Sequence, residues 1–417
     1  MNSASPTYST LQELVVSDKI YKDKSVKMLS LILQMEHTKS YGSPGIFLIT
    51  RPRGFGLSLV AKSVEKILER DRETICKIED EGLLREIPQR HCIKLDFKKI
   101  KGADTKEFTH SLLNNLQEQF WLNHIETHLD TYATPKFYLS KLIDTLFKRY
   151  KEQLVIVIDN YDIPIANAML MENSEMTLEC VCIYLDMLNV LKNAVSQVKW
   201  VMLTGHIKFA LANEFSEGLP FVQDLSNEKS LETLFGLTLN EIEESYHTQI
   251  EKVAHDRNMS IEEYLKAVDK CYGNFAFSDS LIKVLCPACI AHVLNNNGLL
   301  LPYSATANYP IVKKLLSNEF VDLSYLYDKD GQDPLFSNSI DITVEKKQLA
   351  SLLIQLGFAT RARVLLNTDE GYTTWRYRFE MPNLDMQATF LMLKNELPED
   401  YLTKELDYST KNSAEGN

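Results

Sequence analysis

Short apolar runs alternate with longer amphipathic segments over the first 225 residues. The apolar runs predict buried strands at 46–50, 91–97, 154–159 and 199–205, with a shorter one at 221–225. The segments between them predict helices at 58–70, 105–130, 135–150 and 177–196. Strands that alternate with helices are typical of a parallel sheet with helices on both faces. The sequence therefore predicts an α/β fold.

Beyond the polar stretch SNEKS at 226–230, the apolar spacing becomes mainly helical. A helix at 345–357, two alternating runs at 358–366 and 372–379, and a helix at 384–396 follow. We therefore predict four regions. They are an α/β domain at 1–235, a helical lid at 236–335, a small winged-helix-like domain at 336–397 and a disordered tail at 398–417.

Composition and charge narrow the function classes. The 417 residues carry a net charge of −12, which disfavours a general binder of nucleic acid or anionic membranes. No apolar run is long enough for a transmembrane helix, and the polar N-terminus lacks the features of a signal peptide. Seven cysteines in such a chain predict reduced thiols. We expect a cytoplasmic protein, and secretion as an effector stays an open alternative.

The first candidate site follows the strand at 46–50. A phosphate-binding loop has the pattern G-x-x-x-x-G-K-[ST] between a strand and a helix, where backbone N–H groups bind phosphate oxygens. The corresponding window is RPRGFGLS, in which Arg51 replaces the first glycine and Leu57 replaces the lysine. The candidate nucleotide-binding residues are Arg51, Arg53, Gly54, Gly56, Leu57 and Ser58.

The second candidate site lies where the strand at 154–159 ends. Asp159 is expected at the carboxyl edge of the sheet, where α/β proteins bind ligands and where the Mg²⁺ of a nucleotide is held. Ser58 and Asp159 are therefore the candidate magnesium ligands. Asn160 occupies the position of a water-activating glutamate, and Thr204 is either a sensor of the terminal phosphate or a simple turn residue.

The order of these motifs resembles the AAA-ATPase-like family of predicted bacterial P-loop ATPases, whose members often carry a C-terminal restriction-type nuclease domain. The similar segments are YKDKS at 21–25, RPRGFGLS at 51–58, DNYD at 159–162, LTG at 203–205, CYGNFAF at 271–277, PYSATANYPIVKKLL at 302–316 and MPN at 381–383. The resemblance covers roughly 11–395. It implies a P-loop fold and a site for ATP or ADP with Mg²⁺. Lys208 falls near a position that the family often fills with arginine.

Two departures from the family pattern fall at residues that the family would use for phosphate binding and for activating water. Arg51 and Arg53 match the family's own loop, typically R-P-R-R-F-G-K-S, whereas Leu57 replaces its lysine. Asn160 replaces the glutamate of its D-E-Y-D motif. The resemblance ends before a nuclease domain, so it implies no nuclease activity.

Asp162 and two short basic stretches are better explained by structural roles than by a functional site. Asp162, followed by Pro164, predicts a helix cap rather than a second metal ligand. The basic stretches at 98–101 and 148–151 are flanked by acids and predict solvated faces.

Two sets of residues have the composition of metal sites. The first set is Cys271, Cys286, Cys289 and His292, and the second is His124, Glu126 and His128. Cys286 and Pro287 fit the N-cap and first residue of a helix better than a zinc site. In the second set, helical spacing would turn the glutamate away from the histidines. We expect no zinc.

Three functions remain open. The favoured one is a pseudo-ATPase with degenerate Walker A and B motifs, which acts through a protein partner and binds nucleotide weakly at most. The second is an unorthodox ATPase switch, in which Lys62 or a loop arginine replaces the missing lysine. The third is a nucleic-acid-associated component of defence or of a mobile element. The acidic charge makes the third less favoured.

Overall fold

The chain divides into two compact units. The computed structural model describes residues 22–38, 42–76, 78–127, 133–212, 216–219, 221–304, 310–318, 340–341, 346–369 and 372–394. The first unit comprises the described residues of Met1–Arg51, Gly56–Leu234 and Asn338–Leu349. The second comprises those of Pro52–Phe55, Phe235–Ser337 and Ala350–Asn417.

A parallel sheet forms the centre of the first unit. Its strands are β1 Gly45–Thr50, β2 Cys92–Asp96, β3 Leu154–Asp159, β4 Val198–Gly205 and β5 Gln223–Asp224. They lie side by side in the order β2-β3-β4-β1-β5, and every pairing is parallel. This confirms the predicted α/β class with a parallel sheet. It also places β1 and β3 on either side of β4.

Helices precede and connect the strands of the first unit. They are α1 Ser25–His37, α2 Leu57–Leu68, α3 Arg72–Ile75, α4 Glu81–Glu86, α5 Thr105–Leu122, α6 Pro135–Tyr150, α7 Ile163–Ala168 and α8 Ser174–Lys192. Side-chain caps fix where several of them begin: Asp104 accepts from the Glu107 N–H at α5, and Thr134 accepts from the Phe137 N–H at α6. These two helices therefore each begin at a defined residue.

The core of the first unit is built on β3. All six residues of this strand are buried, as expected for a strand in the interior of a parallel sheet. Trp200 on β4 and the α8 residue Tyr184 are fully buried in the same unit. This packing fixes the carboxyl ends of β3 and β4, where the candidate site lies.

The described chain beyond Leu234 is mainly helical. Its elements are α9 Leu239–Asp256, α10 Ile261–Tyr272, α11 Pro287–Asn295, α12 Pro310–Asn318, α13 Lys346–Gln355, β6 Thr360–Asp369, β7 Tyr372–Glu380 and α14 Leu384–Leu393. Capping boxes begin α9 (Thr238 with Glu241) and α10 (Ser260 with Glu263). The strands β6 and β7 form an antiparallel hairpin. The predicted separation into a lid and a winged-helix-like domain stays a prediction.

Some boundaries differ from the sequence-based expectations. The helices α3 and α4 were not predicted, since four to six residues are too few to show helical periodicity. The start of α7 was indicated only by Asp162 and Pro164. The strand predicted at 221–225 is reduced to Gln223–Asp224 at the sheet edge. The tail at 398–417 and Tyr21 of YKDKS lie outside the described residues, as does part of the segment at 302–316.

Candidate functional site

The turn between β1 and α2 has the glycine conformations of a tight strand-to-helix connection. Gly54 has φ +87° and Gly56 has φ +81°, both in the left-handed region that favours glycine. Gly56 is the N-cap of α2, and its carbonyl accepts the N–H of Val60. The helix therefore begins at Leu57, one residue before the predicted start at Ser58.

Ser58, Asp159 and Thr204 meet at the carboxyl edge of the sheet. The hydroxyl of Thr204 donates to Asp159 Oδ1 at 2.7 Å, and the backbone N–H of Asn160 donates to the same oxygen at 3.0 Å. The side chain of Ser58 is also hydrogen-bonded to the Asp159 carboxyl group. The two predicted magnesium ligands therefore lie next to each other.

The Asp159 carboxyl group is almost completely enclosed, with 2% of its residue surface exposed. Burial raises its pKa above the ordinary 3.8, and the nearby charge of Asp96 adds to this effect. The hydrogen bonds from Ser58 and Thr204 and the charge of Lys94 lower the pKa in part. Binding a divalent cation here would require the carboxylate to exchange protein donors for the metal.

Asn160 is fixed by its backbone and its side chain. Its φ of +56° is in the left-handed region, which asparagine tolerates better than most residues. Its amide nitrogen Nδ2 donates to Asp96 Oδ1 at 2.8 Å. An amide cannot accept a proton from an attacking water at neutral pH. Asn160 therefore links the ends of β2 and β3 and offers no general base.

Leu57, which the sequence analysis assigned to the lysine position, has an aliphatic side chain and is 5% exposed. Arg51, one of the cations that the sequence offered as replacements, is engaged elsewhere. Arg51 is buried, and its Nη1 donates to the carbonyl oxygens of Thr50 and Ser226 at 2.8 and 2.7 Å. The charge of Lys62 acts on Glu65, one turn further along α2.

The tip of the loop is built into the second unit. The backbone N–H of Ala288 donates to the Gly54 carbonyl oxygen at 3.2 Å, and the Cys286 thiol donates to the Arg53 carbonyl oxygen at 3.8 Å. A Cβ on Gly54 would lie 2.6 Å from the Cys286 sulfur. The backbone carbonyls of Arg53 and Gly54 are therefore engaged by residues at the start of α11.

Phe55 holds the same turn by apolar packing. Its ring meets those of Phe275 and Phe277 edge-on, each with a centroid separation of 5.0 Å, and the residue is buried. The segment Pro52–Phe55 thus forms part of the second unit's core.

Asp162 is a correction to the sequence interpretation. It occupies the N-cap position of α7 but makes no side-chain cap there. Its Oδ2 accepts the backbone N–H groups of His206 and Ile207 at 2.9 and 3.1 Å. Asp162 therefore orders the chain that leaves β4.

Lys208, near the position that the family often fills with arginine, is buried and forms an ion pair with Asp224 on β5. This pair lowers the pKa of Asp224 despite the burial of its carboxyl group.

Among the described residues, no group of three or more His, Cys, Asp or Glu side chains is arranged to hold a metal ion. Cys286 is the N-cap of α11 and Pro287 its first residue, as predicted. His128 of the second candidate set lies outside the described residues.

Two residues of the site escaped the sequence analysis. Asp96 ends β2 opposite Asp159, and Lys94 on the same strand lowers the pKa of both Asp159 and Glu65 through its charge. Asp96 was not singled out, because the predicted strand at 91–97 continues past it to Phe97. Lys94 could not be assigned, because its position depends on strand order.

Comparison with known proteins identifies the family. A family model described as a predicted AAA-ATPase matches residues 8–215. The chain belongs to the AAA-ATPase-like family, as its motifs predicted. No curated protein matches the chain.

Among solved structures, the Orc1 protein of Aeropyrum pernix in complex with DNA is similar at 9% identity. The match covers 90% of this chain and 93% of that one, with a TM-score of 0.32. A likeness at this level assigns no function. Within the described residues, no helix is long and apolar enough to cross a membrane.

Proposed function

We propose that this protein is a pseudo-ATPase, which keeps the P-loop fold but does not turn over ATP. The observation that carries the proposal is the aliphatic Leu57 at the position of the phosphate-binding lysine. Leucine supplies neither charge nor hydrogen-bond donor to the β- and γ-phosphates. Loss of one such electrostatic contact typically costs on the order of 10²–10³ in rate.

The surroundings of Asp159 and Asn160 support the same proposal. The Asp159 carboxyl group receives hydrogen bonds from Ser58, Thr204 and the Asn160 backbone, so a metal would have to displace protein contacts. The Asn160 amide is bonded to Asp96 and cannot act as a base. Ser58 and Asp159 would be the residues that hold Mg²⁺ if a nucleotide binds. Nucleotide binding is therefore weak at most.

We further propose that the protein acts through a protein partner. Trp121 at the end of α5 is 76% exposed, and Phe137 at the start of α6 is 57% exposed. Large exposed aromatic side chains are enriched at protein interfaces. The replacements Trp121→Ser and Phe137→Ser should therefore weaken partner binding without lowering the stability of the first unit.

The test of the pseudo-ATPase proposal is calorimetric titration of Mg-ATP into the wild type and into Leu57→Lys. The lysine supplies the missing charge, so we expect at least a tenfold gain in affinity, equivalent to about 1.4 kcal/mol. Leu57→Met is the matched control, because it changes the side-chain shape without adding charge. It should bind like the wild type.

Asn160 is kept unchanged in this test, because its positive φ and its bond to Asp96 make glutamate unfavourable there. Tight binding of Mg-ATP by the wild type, unchanged by Leu57→Lys, would favour the alternative of an unorthodox ATPase switch.

A further inference from the structure

The second unit contains a pair of thiols that the proposed function does not use. Cys286 and Cys289 lie in the sequence CPAC, at the N-cap and in the first turn of α11. Both cysteines are buried and line the same small cavity. Cys-x-x-Cys at the start of a helix is a spacing at which one disulfide can close.

The pair lies beside the phosphate-loop turn. Cys286 donates its thiol hydrogen to the Arg53 carbonyl oxygen, and its sulfur occupies the space next to Gly54. Pro287 has no N–H, so Ala288 provides the first free N–H of the helix, and that group donates to the Gly54 carbonyl oxygen. Any movement of Cys286 is therefore transmitted directly to this turn.

Cys289 lies deeper in the same unit. Its thiol donates to Asp385 Oδ2 at 3.8 Å, while the backbone N–H groups of Tyr303 and Ser304 donate to Oδ1. Burial raises the pKa of the Cys289 thiol above its ordinary range, which disfavours its thiolate. A cavity of about 10 Å³ adjoins both cysteines, with room for about one water molecule. A peroxide is the class of oxidant small enough to enter with little rearrangement.

We propose that Cys286 and Cys289 form an oxidisable dithiol, whose conversion to a disulfide by a peroxide releases the phosphate-loop turn from α11. This inference goes beyond the proposed function and does not depend on it.

The reaction has two steps. The Cys286 thiol gives up its proton and its sulfur attacks one oxygen of hydrogen peroxide. The O–O bond breaks, a sulfenic acid forms, and the departing hydroxide takes up that proton as one water. The Cys289 sulfur then attacks the Cys286 sulfur, the S–S bond forms, the S–O bond breaks and a second water leaves. Two thiols lose two electrons and two protons, and one peroxide gains them.

Closing the bond draws the Cys286 sulfur toward Cys289, because bonded sulfurs lie about 2 Å apart. The Arg53 carbonyl then loses its thiol donor, and the contact with Gly54 opens. Asp385 loses the Cys289 donor but keeps the N–H groups of Tyr303 and Ser304.

The test uses the full chain in the presence of EDTA, treated with hydrogen peroxide and then unfolded and alkylated. Mass spectrometry should show the peptide with both Cys286 and Cys289 lighter by two hydrogen atoms and resistant to alkylation until a reductant is added. Cys76 is exposed and reports that the oxidant reacted, whereas the buried Cys92 should remain a free thiol. Oxidised Cys76 together with alkylated Cys286 and Cys289 would overturn the proposal.

The effect on the turn is measured by hydrogen exchange at the Ala288 amide, which donates to Gly54. We expect faster exchange after oxidation, recovery after reduction, and no response to peroxide in Cys289→Ser. The serine hydroxyl can still donate to Asp385. Formation of the disulfide without any change in Ala288 exchange would contradict the release of the turn.

Discussion

The side chain of Ser58, in the first turn of α2, is hydrogen-bonded to the carboxyl group of Asp159 at the end of β3. In a P-loop enzyme, residues at these two positions hold the Mg²⁺ that bridges the phosphates. Here the exposed Ser58 adjoins the buried pair of Asp159 and Thr204. The cluster keeps the donor types of a magnesium site. In the proposed pseudo-ATPase, Leu57 and Asn160 stand in place of the charge and the base that hydrolysis needs.

The raised pKa of Asp159 makes its contribution to stability depend on pH. The folded state holds this proton to a higher pH than the unfolded chain, whose pKa is near 3.8. The contribution is therefore fully present below pH 3.8 and is lost as pH rises through the folded-state pKa. A pKa difference of one corresponds to about 1.4 kcal/mol.

Asp159→Asn removes this titration. The difference in free energy of unfolding, Asp159→Asn minus wild type, should rise with pH from about 3.8. It should level off above the folded-state pKa of Asp159. Denaturant titrations at several pH values measure this difference. Thr204→Val removes a hydrogen bond that lowers the pKa of Asp159. The loss of stability with rising pH should therefore extend to higher pH in this variant than in the wild type. A difference between Asp159→Asn and wild type that is flat with pH would contradict the raised pKa.

Asn160→Glu should destabilise the first unit. A non-glycine residue other than asparagine or aspartate in the left-handed region costs about 1–2 kcal/mol, and the new carboxylate would face Asp96 and Asp159. We expect a loss of about 2–3 kcal/mol in the free energy of unfolding.

Asn160→Gly is the matched control, because glycine accepts the positive φ but loses the amide bond to Asp96. It should cost only about 1 kcal/mol. Equal losses in the two variants would show that neither backbone conformation nor charge governs this position.

Comparing Gly54→Ala with Gly56→Ala separates the effect of backbone strain on stability from the effect of packing. Both glycines have positive φ, so alanine is strained at each. A Cβ on Gly54 would lie 2.6 Å from the Cys286 sulfur, whereas nothing lies within 4 Å of a Cβ on Gly56. Gly54→Ala should therefore cost about 1–3 kcal/mol more than Gly56→Ala in thermal or denaturant unfolding.

The extra cost of Gly54→Ala should shrink when Cys286→Ala is added, because the close sulfur is then gone. A double variant whose two costs simply add would mean that the Gly54 turn does not pack on Cys286.

The sequence predicted the sheet and the position of the site for identifiable reasons. The six apolar residues of β3 end in one acid, and a parallel sheet brings such strand ends to one edge. The placement of Ser58 beside Asp159 follows from the strand-turn-helix order. Asp96 was missed because its partnership with Asn160 depends on β2 lying next to β3.

The packing of the loop tip could not be predicted from local pattern. Phe55 contacts Phe275 and Phe277, which lie more than two hundred residues further along the chain. An aromatic residue in a glycine turn is equally compatible with an exposed loop, so only the folded structure assigns it to the second unit. The Asp162 carboxylate was wrongly expected to cap a helix because Pro164 is a strong local signal, whereas its partners, the N–H groups of His206 and Ile207, are distant in sequence.

The central claim is that this AAA-ATPase-like protein does not hydrolyse ATP, and steady-state phosphate release from Mg-ATP tests it most directly. Wild type and Asp159→Ala should both release phosphate at the rate of the buffer blank, since Leu57 and Asn160 already remove the groups that stabilise and activate the reaction. Turnover by the wild type above the blank, abolished by Asp159→Ala in a folded protein, would contradict the account.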